Sequence, residues 1–105
     1  MDIWGSIKKL EGQTLATLDR RQEFKIVQVL PNLIIIETST GNPRNISMHE
    51  LQESWSSLEE IGQISRSDIM KFYSPFNPAY VAAILSNFPG ISYRIRPIVL
   101  RSIRR

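Results

Sequence analysis

The chain has no cysteine, one histidine, five glycines and no acidic residue after Asp68. Without cysteine there is no disulfide, thiolate zinc site, iron–sulfur cluster or thiol nucleophile, and a reducing, cytoplasmic setting is the expectation. No apolar run approaches the roughly 20 residues that span a bilayer, and the N-terminal residues lack a signal-peptide pattern, so no membrane partner is expected. The lone His49 has Glu53 four residues on, which reads as a helix-surface pair rather than a catalytic dyad. No H-x-x-x-H or D-x-D spacing offers a metal ligand set. Gly12, Gly41, Gly62 and Gly90 fall at turns or helix ends instead of building a phosphate-cradling loop. Hydroxyls are plentiful, but no base is placed to activate one. These absences point to a non-enzymatic protein without cofactor or metal.

What remains is a chain of 105 residues, 42% hydrophobic and 22% charged, with the balance of an ordinary folded domain. It reads as a single α+β domain over 1–105. Ile3, Trp4, Ile7 and Leu10 recur at helical spacing, marking a short amphipathic helix within 1–12 that packs on the domain's own core. An antiparallel β-meander of three or four strands follows over 14–46, rich in β-branched residues, with Pro31-Asn32 as a two-residue turn. Strict alternation along 24–30 sets Phe24, Ile26, Gln28 and Leu30 on one face and Lys25, Val27 and Val29 on the other.

Residues 47–90 form the helical part. Ser47 and Glu50 make a capping box for a helix that Gly62 stops, and Ser65 with Asp68 opens a second. Asn77-Pro78 caps and starts a third, with an apolar stripe running to Phe88. Residues 91–105 are read as a C-terminal strand, broken at Arg96-Pro97, and a basic tail. The expected core comprises Phe24, Ile26, Val29, Ile34, Ile36, Leu51, Trp55, Leu58, Ile69, Phe72, Val81, Ile84, Leu85 and Ile95.

The order of caps and helices over about 47–103, followed by strand residues, resembles a winged helix-turn-helix. That resemblance implies a third helix that enters the major groove and a hairpin wing on phosphate. It would place Asn77, Ala79, Ala82, Ala83, Ser86 and Asn87 toward the groove, with Asn77 and Asn87 as base readers, and Arg94, Arg96 and Arg101 on the wing. Independently of it, Arg94, Arg96, Arg101, Arg104 and Arg105 form a basic C-terminal strip with no acid to offset them, and Tyr93 stands beside Arg94 as a stacking partner for a base. The expected function is a small non-catalytic nucleic-acid-binding or regulatory domain using that strip. The alternative is a protein-interaction or oligomerisation module: nothing between Lys71 and Arg94 is charged, and Ala79, Ala82, Ala83 and Ser86 would suit a close interface with a protein partner or a second copy. The acidic helix carrying Glu50, Glu53, Glu59 and Glu60 is a third expectation's source, since it could neutralise the strip within the molecule.

Overall fold

Two small sheets flank a central helix in the computed structural model, which describes residues 3–103. A short helix α1 (Trp4–Lys8) leads into an antiparallel meander of β1 (Thr14–Ala16), β2 (Glu23–Val29), β3 (Leu33–Thr38) and β4 (Pro43–Ser47). The chain continues as α2 (Met48–Ile61), β5 (Gln63–Ser65), α3 (Arg66–Phe72), α4 (Pro78–Ser86), β6 (Ile91–Arg94) and β7 (Val99–Ser102). The last three strands form a second antiparallel sheet in the order β5-β7-β6. The C-terminal segment is thus a hairpin, and Gln63–Ser65 is a strand of the same sheet.

The meander departs from strict alternation at one place. Ile26 pairs with Ile36 but Gln28 pairs with Ile35, so Val27 is an extra residue in a β-bulge. Beyond the bulge the faces exchange. Phe24, Ile26 and Val29 point into the core, while Val27 and Gln28 face solvent and Leu30 is half-buried. The backbone beside the bulge is satisfied by the segment after α1: the Val29 amide donates to Glu11 Oε2 at 2.7 Å, and the Gly12 amide donates to the Ile26 carbonyl at 2.7 Å. Gly12 takes φ +86°, which only glycine adopts without strain. The tight turn at Pro31-Asn32 is closed by the Leu30 amide on the Leu33 carbonyl, 2.9 Å. Helix α1 lies on the same core, with Ile3 and Ile7 fully buried and the Trp4 indole N–H donating to the Leu30 carbonyl.

The helix signals act as their residue types require. Ser47 and Glu50 form a reciprocal capping box, and Gly62 closes α2 in the left-handed conformation. Ser65 Oγ accepts the Asp68 amide at the start of α3. Asn77 makes no side-chain cap at α4, and its amide is used elsewhere.

Helix α4 carries no charge and its central turns are enclosed, while Pro78, Ala79, Tyr80 and Ser86 toward its ends are half-buried. Val81, Ala82, Ala83, Ile84 and Leu85 are all fully buried, against α2 and α3 on one flank and β1 and β6 on the others. Edge-to-face rings fasten its two ends: Tyr80 meets Phe24 of β2 at 5.0 Å between centroids, and Trp55 of α2 meets Phe88 at 5.1 Å. Two expected core residues lie outside this core. Phe72 is 63% exposed because α3 buries only Ile69, and Ile95 sits in the β6–β7 turn, leaving Ile98 and Leu100 to fill the core from the hairpin.

These burials separate two classes of substitution. Leu85→Ala is expected to cost about 2–5 kcal/mol and Trp55→Ala about 3–5 kcal/mol, whereas Phe72→Ala stays within roughly 0.5 kcal/mol. Urea denaturation checks this, and a loss at Phe72 equal to that at Leu85 contradicts the arrangement.

Candidate nucleic-acid interface

The register of the second sheet decides which side chains of the basic strip act together. Gln63, Arg101 and Ser92 lie side by side across β5, β7 and β6, and the next row outward on the same face is Ser65, Val99 and Arg94. The intervening row, Ile64, Leu100 and Tyr93, belongs to the opposite face, where Ile64 and Leu100 are buried beneath α2 and α4. Arg94 and Arg101 are therefore diagonal neighbours on one open face. Each is exposed, and neither has an ion-pair partner among the described residues. The pairing with α2 expected of the strip does not occur at these two arginines.

Around them the surface is concave. Gln63, Ser92, Tyr93, Arg94, Val99 and Arg101 line a hollow of about 270 Å³, which continues past Gln63 and Arg101 into one of about 600 Å³ bounded by Ile61 and Ile103. On the β5 side, Gln63 and Val99 also border a hollow of about 270 Å³ with Ile61, Asp68, Phe72 and Tyr73. Ile61, Phe72 and Ile103, three large apolar side chains each more than 60% exposed, thus border the hollows that adjoin the arginine face.

Comparison with known protein families, curated proteins and solved structures finds no match. The site is therefore read from its own geometry, and the geometry corrects several expectations. Tyr93 lies in the Leu100 row, on the opposite face of the strand from Arg94, yet it is half-exposed and borders the same hollow as Arg94. Arg96 leaves the strip altogether: it occupies the hairpin turn, with Nε 3.6 Å from Asp19 Oδ1. Arg104 and Arg105 lie outside the described residues. Helix α4 cannot enter a groove, since Ala82 and Ala83 are buried and Ala79 and Ser86 half-buried; the same burial removes this alanine face as a surface for a partner or second copy. Asn87 is exposed, but its Nδ2 donates to the Ala83 carbonyl at 2.8 Å.

Asn77 belongs to a structural clamp. Arg44 of β4 donates from Nη1 to Asn77 Oδ1 and to the Phe76 carbonyl, both at 3.0 Å, while its guanidinium lies 5.6 Å from the Tyr80 ring centroid. From the other side Ser74 Oγ donates to Glu50 Oε1 at 2.6 Å, and the Ser47 amide and hydroxyl donate to Glu50 Oε2 at 2.9 Å. One carboxylate thus ties β4, α2 and the α3–α4 loop together. Burial opposes ionisation of Glu50, but the donors Ser74 and Ser47, with a smaller contribution from Asn77, outweigh it and hold its carboxyl below the ordinary value.

Sequence reasoning missed Gln63, Ser92 and Ile61 on this surface, and Phe72 entered it as a core candidate. The i, i+2 relation of Ser92 and Arg94 was visible, but only the register of β7 adds Arg101 and Gln63 to the same face. Among the described residues no three His, Asp or Glu side chains gather into a metal-binding group, no helix is long and apolar enough to cross a membrane, and His49 meets only Glu53, at 3.7 Å on the surface.

The clamp makes a pH prediction. A carboxyl whose folded pKa is depressed adds stability above its unfolded pKa and loses it as pH falls through the folded value. Glu50→Gln is expected to lower stability at pH 7 by on the order of 1 kcal/mol. The gap to the natural protein narrows below the ordinary carboxylate range, which denaturation across pH 7 to 3 would show; a pH-independent gap contradicts the ionised clamp.

Proposed function

We propose that the protein binds single-stranded nucleic acid across the open face of the β5-β7-β6 sheet. The observation that carries this reading is the convergence of Arg94 and Arg101, neither of them ion-paired among the described residues, on one exposed face edged by exposed Phe72 and Ile61, with Asp68 the acid at that edge. Guanidinium groups supply forked donors for phosphate oxygens, and neither has another described group to satisfy it. A face built this way suits an extended strand, whose unstacked bases can rest on apolar and aromatic side chains while its phosphates meet the arginines. Major-groove reading by α4 has no support from its burial. Ser92 next to both cations, and Gln63 and Ser65 on the neighbouring β5, add neutral hydrogen-bonding groups suited to sugar and base edges.

The apolar border favours a second reading, in which the same face docks a protein with acidic residues set among hydrophobic ones. Exposed Ile61, Phe72 and Ile103 form the kind of patch that marks an interaction surface, and arginine is common in such centres.

Fluorescence anisotropy with labelled single-stranded and duplex oligonucleotides across a salt series separates the two. Two phosphate contacts predict a log–log salt slope of roughly −1.4 on a single strand. Arg94→Ala with Arg101→Ala is expected to abolish binding, and Phe72→Ala to weaken it by about tenfold if a base stacks there. Absence of binding to either nucleic acid at low salt removes this reading and leaves the protein-docking one.

A further inference from the structure

Arg96, displaced from the basic strip, joins a different cluster. The loop after β1 and the turn between β6 and β7 meet the start of α3 at the seam between the meander and the second half of the chain. Two adjoining hollows of about 200 and 110 Å³ open there, sharing Asp19, Arg66 and Ile98. Arg20 lines the larger and Arg96 and Ser67 the smaller. Three arginines from three separate segments thus border these adjoining hollows, and Asp19 is the single acid in their lining. Arg20 and Arg66 have no ion-pair partner among the described residues, and Asp19 reaches only Arg96.

The frame that presents these side chains is fixed. The Arg66 amide donates to the Ile98 carbonyl at 3.0 Å, joining the turn to α3, and the loop is closed on itself by Thr17, whose amide donates to the Gln22 carbonyl and whose Oγ1 and carbonyl accept the Gln22 and Arg21 amides. Both border segments also hold a residue in the left-handed region: Arg21 at φ 58° and Arg96 at φ 60° are the non-glycine residues with positive φ among those described. Glycine or asparagine would adopt these conformations at lower cost. At Arg96 the strain is borne by a residue at the cleft's border whose exposed side chain reaches Asp19, which is the arrangement expected where the side chain is needed.

We propose that this cleft is a phosphate-binding site in which Arg20, Arg66 and Arg96 grip the oxygens of a phosphate group and the Ser67 hydroxyl adds a neutral donor. Asp19 orients Arg96 and keeps the unliganded cluster from repelling itself. The phosphate is either a phosphomonoester, such as a strand's 5′ end, or an internal phosphodiester; the chemistry recognised is the same. The site is separate from the sheet face and stands whether or not that face binds nucleic acid.

The test is a titration of the folded protein with inorganic phosphate, followed by amide and arginine side-chain NMR, with chloride at matched ionic strength as control. Saturable shifts at Arg20, Arg66, Ser67 and Arg96 are expected, weakened by about tenfold or more in Arg66→Ala. Arg96→Gly relieves the backbone and removes the charge, so it is expected to raise the melting temperature while weakening phosphate binding, a pairing that a purely structural arginine would not give. Oligonucleotides with and without a 5′-phosphate then distinguish the sources: preference for the phosphorylated end marks a phosphomonoester, and equal cleft shifts mark the diester. The Arg94→Ala, Arg101→Ala variant is expected to keep the phosphate titration intact even where it loses the oligonucleotide. Shifts that do not saturate, that persist unchanged in Arg66→Ala, or that vanish with Arg94 and Arg101 overturn the proposal.

Discussion

Burial of α4 is the constraint on which the rest of the structure depends. A helix with no polar face cannot rest against one layer; it must be enclosed, and neither half of this chain encloses it alone. The meander contributes Phe24 against Tyr80, α2 contributes Trp55 against Phe88, and α3 and the hairpin close the remaining sides. A single buried cluster consequently runs from Ile3 to Leu100. The same enclosure takes Ala82 and Ala83 out of reach of a groove or a partner and leaves Ala79 and Ser86 half-buried. Among the exposed surfaces of this half is the far face of a sheet whose near face is fixed by Ile64 and Leu100.

Around that core, polar groups act as joints. The Arg44–Asn77 and Glu50–Ser74 contacts hold the α3–α4 loop from two sides, so the entry angle of α4 is set by ionised groups at the rim and not by packing alone. Glu11 performs a comparable service for the bulge of β2, supplying an acceptor for an amide beside the point where the regular ladder is interrupted. Two groups of cations stand apart from these joints, one on the open sheet face and one in the seam cleft, each made from segments distant in sequence.

Much of the architecture was legible in the sequence because it is written locally. The capping box at Ser47, the stop at Gly62, the Pro31-Asn32 turn and the β-branched runs each dictate conformation through neighbours a few residues away. The bulge at Val27 was not, since it depends on how a partner strand aligns. Phe72 was misplaced for a related reason: its helical spacing from Ile69 is right for an apolar stripe, but a helix of two turns buries only the residue nearest the core. The candidate site was the least legible part. Arg94, Arg96 and Arg101 look like one strip in linear order, and strand pleat, hairpin register and turn position divide them. Arg20 and Arg66 carry no local signal at all, because nothing in their neighbours announces that their segments meet.

The pairing of β5 with β7 has a consequence for assembly. Gln63 faces Arg101 across a ladder whose two strands are separated by α3, α4, β6 and the hairpin turn, so the open face is a non-local feature of the molecule. Such contacts carry the largest loop-closure cost and form late. During synthesis, the meander, α2 and β5 would be outside the ribosome with Ile64 uncovered and the arginine face nonexistent, until residues 99–102 emerge and dock along β5. A chain cut short before β7 would therefore lose the cationic surface and, in the same stroke, bare an apolar strand edge prone to self-association.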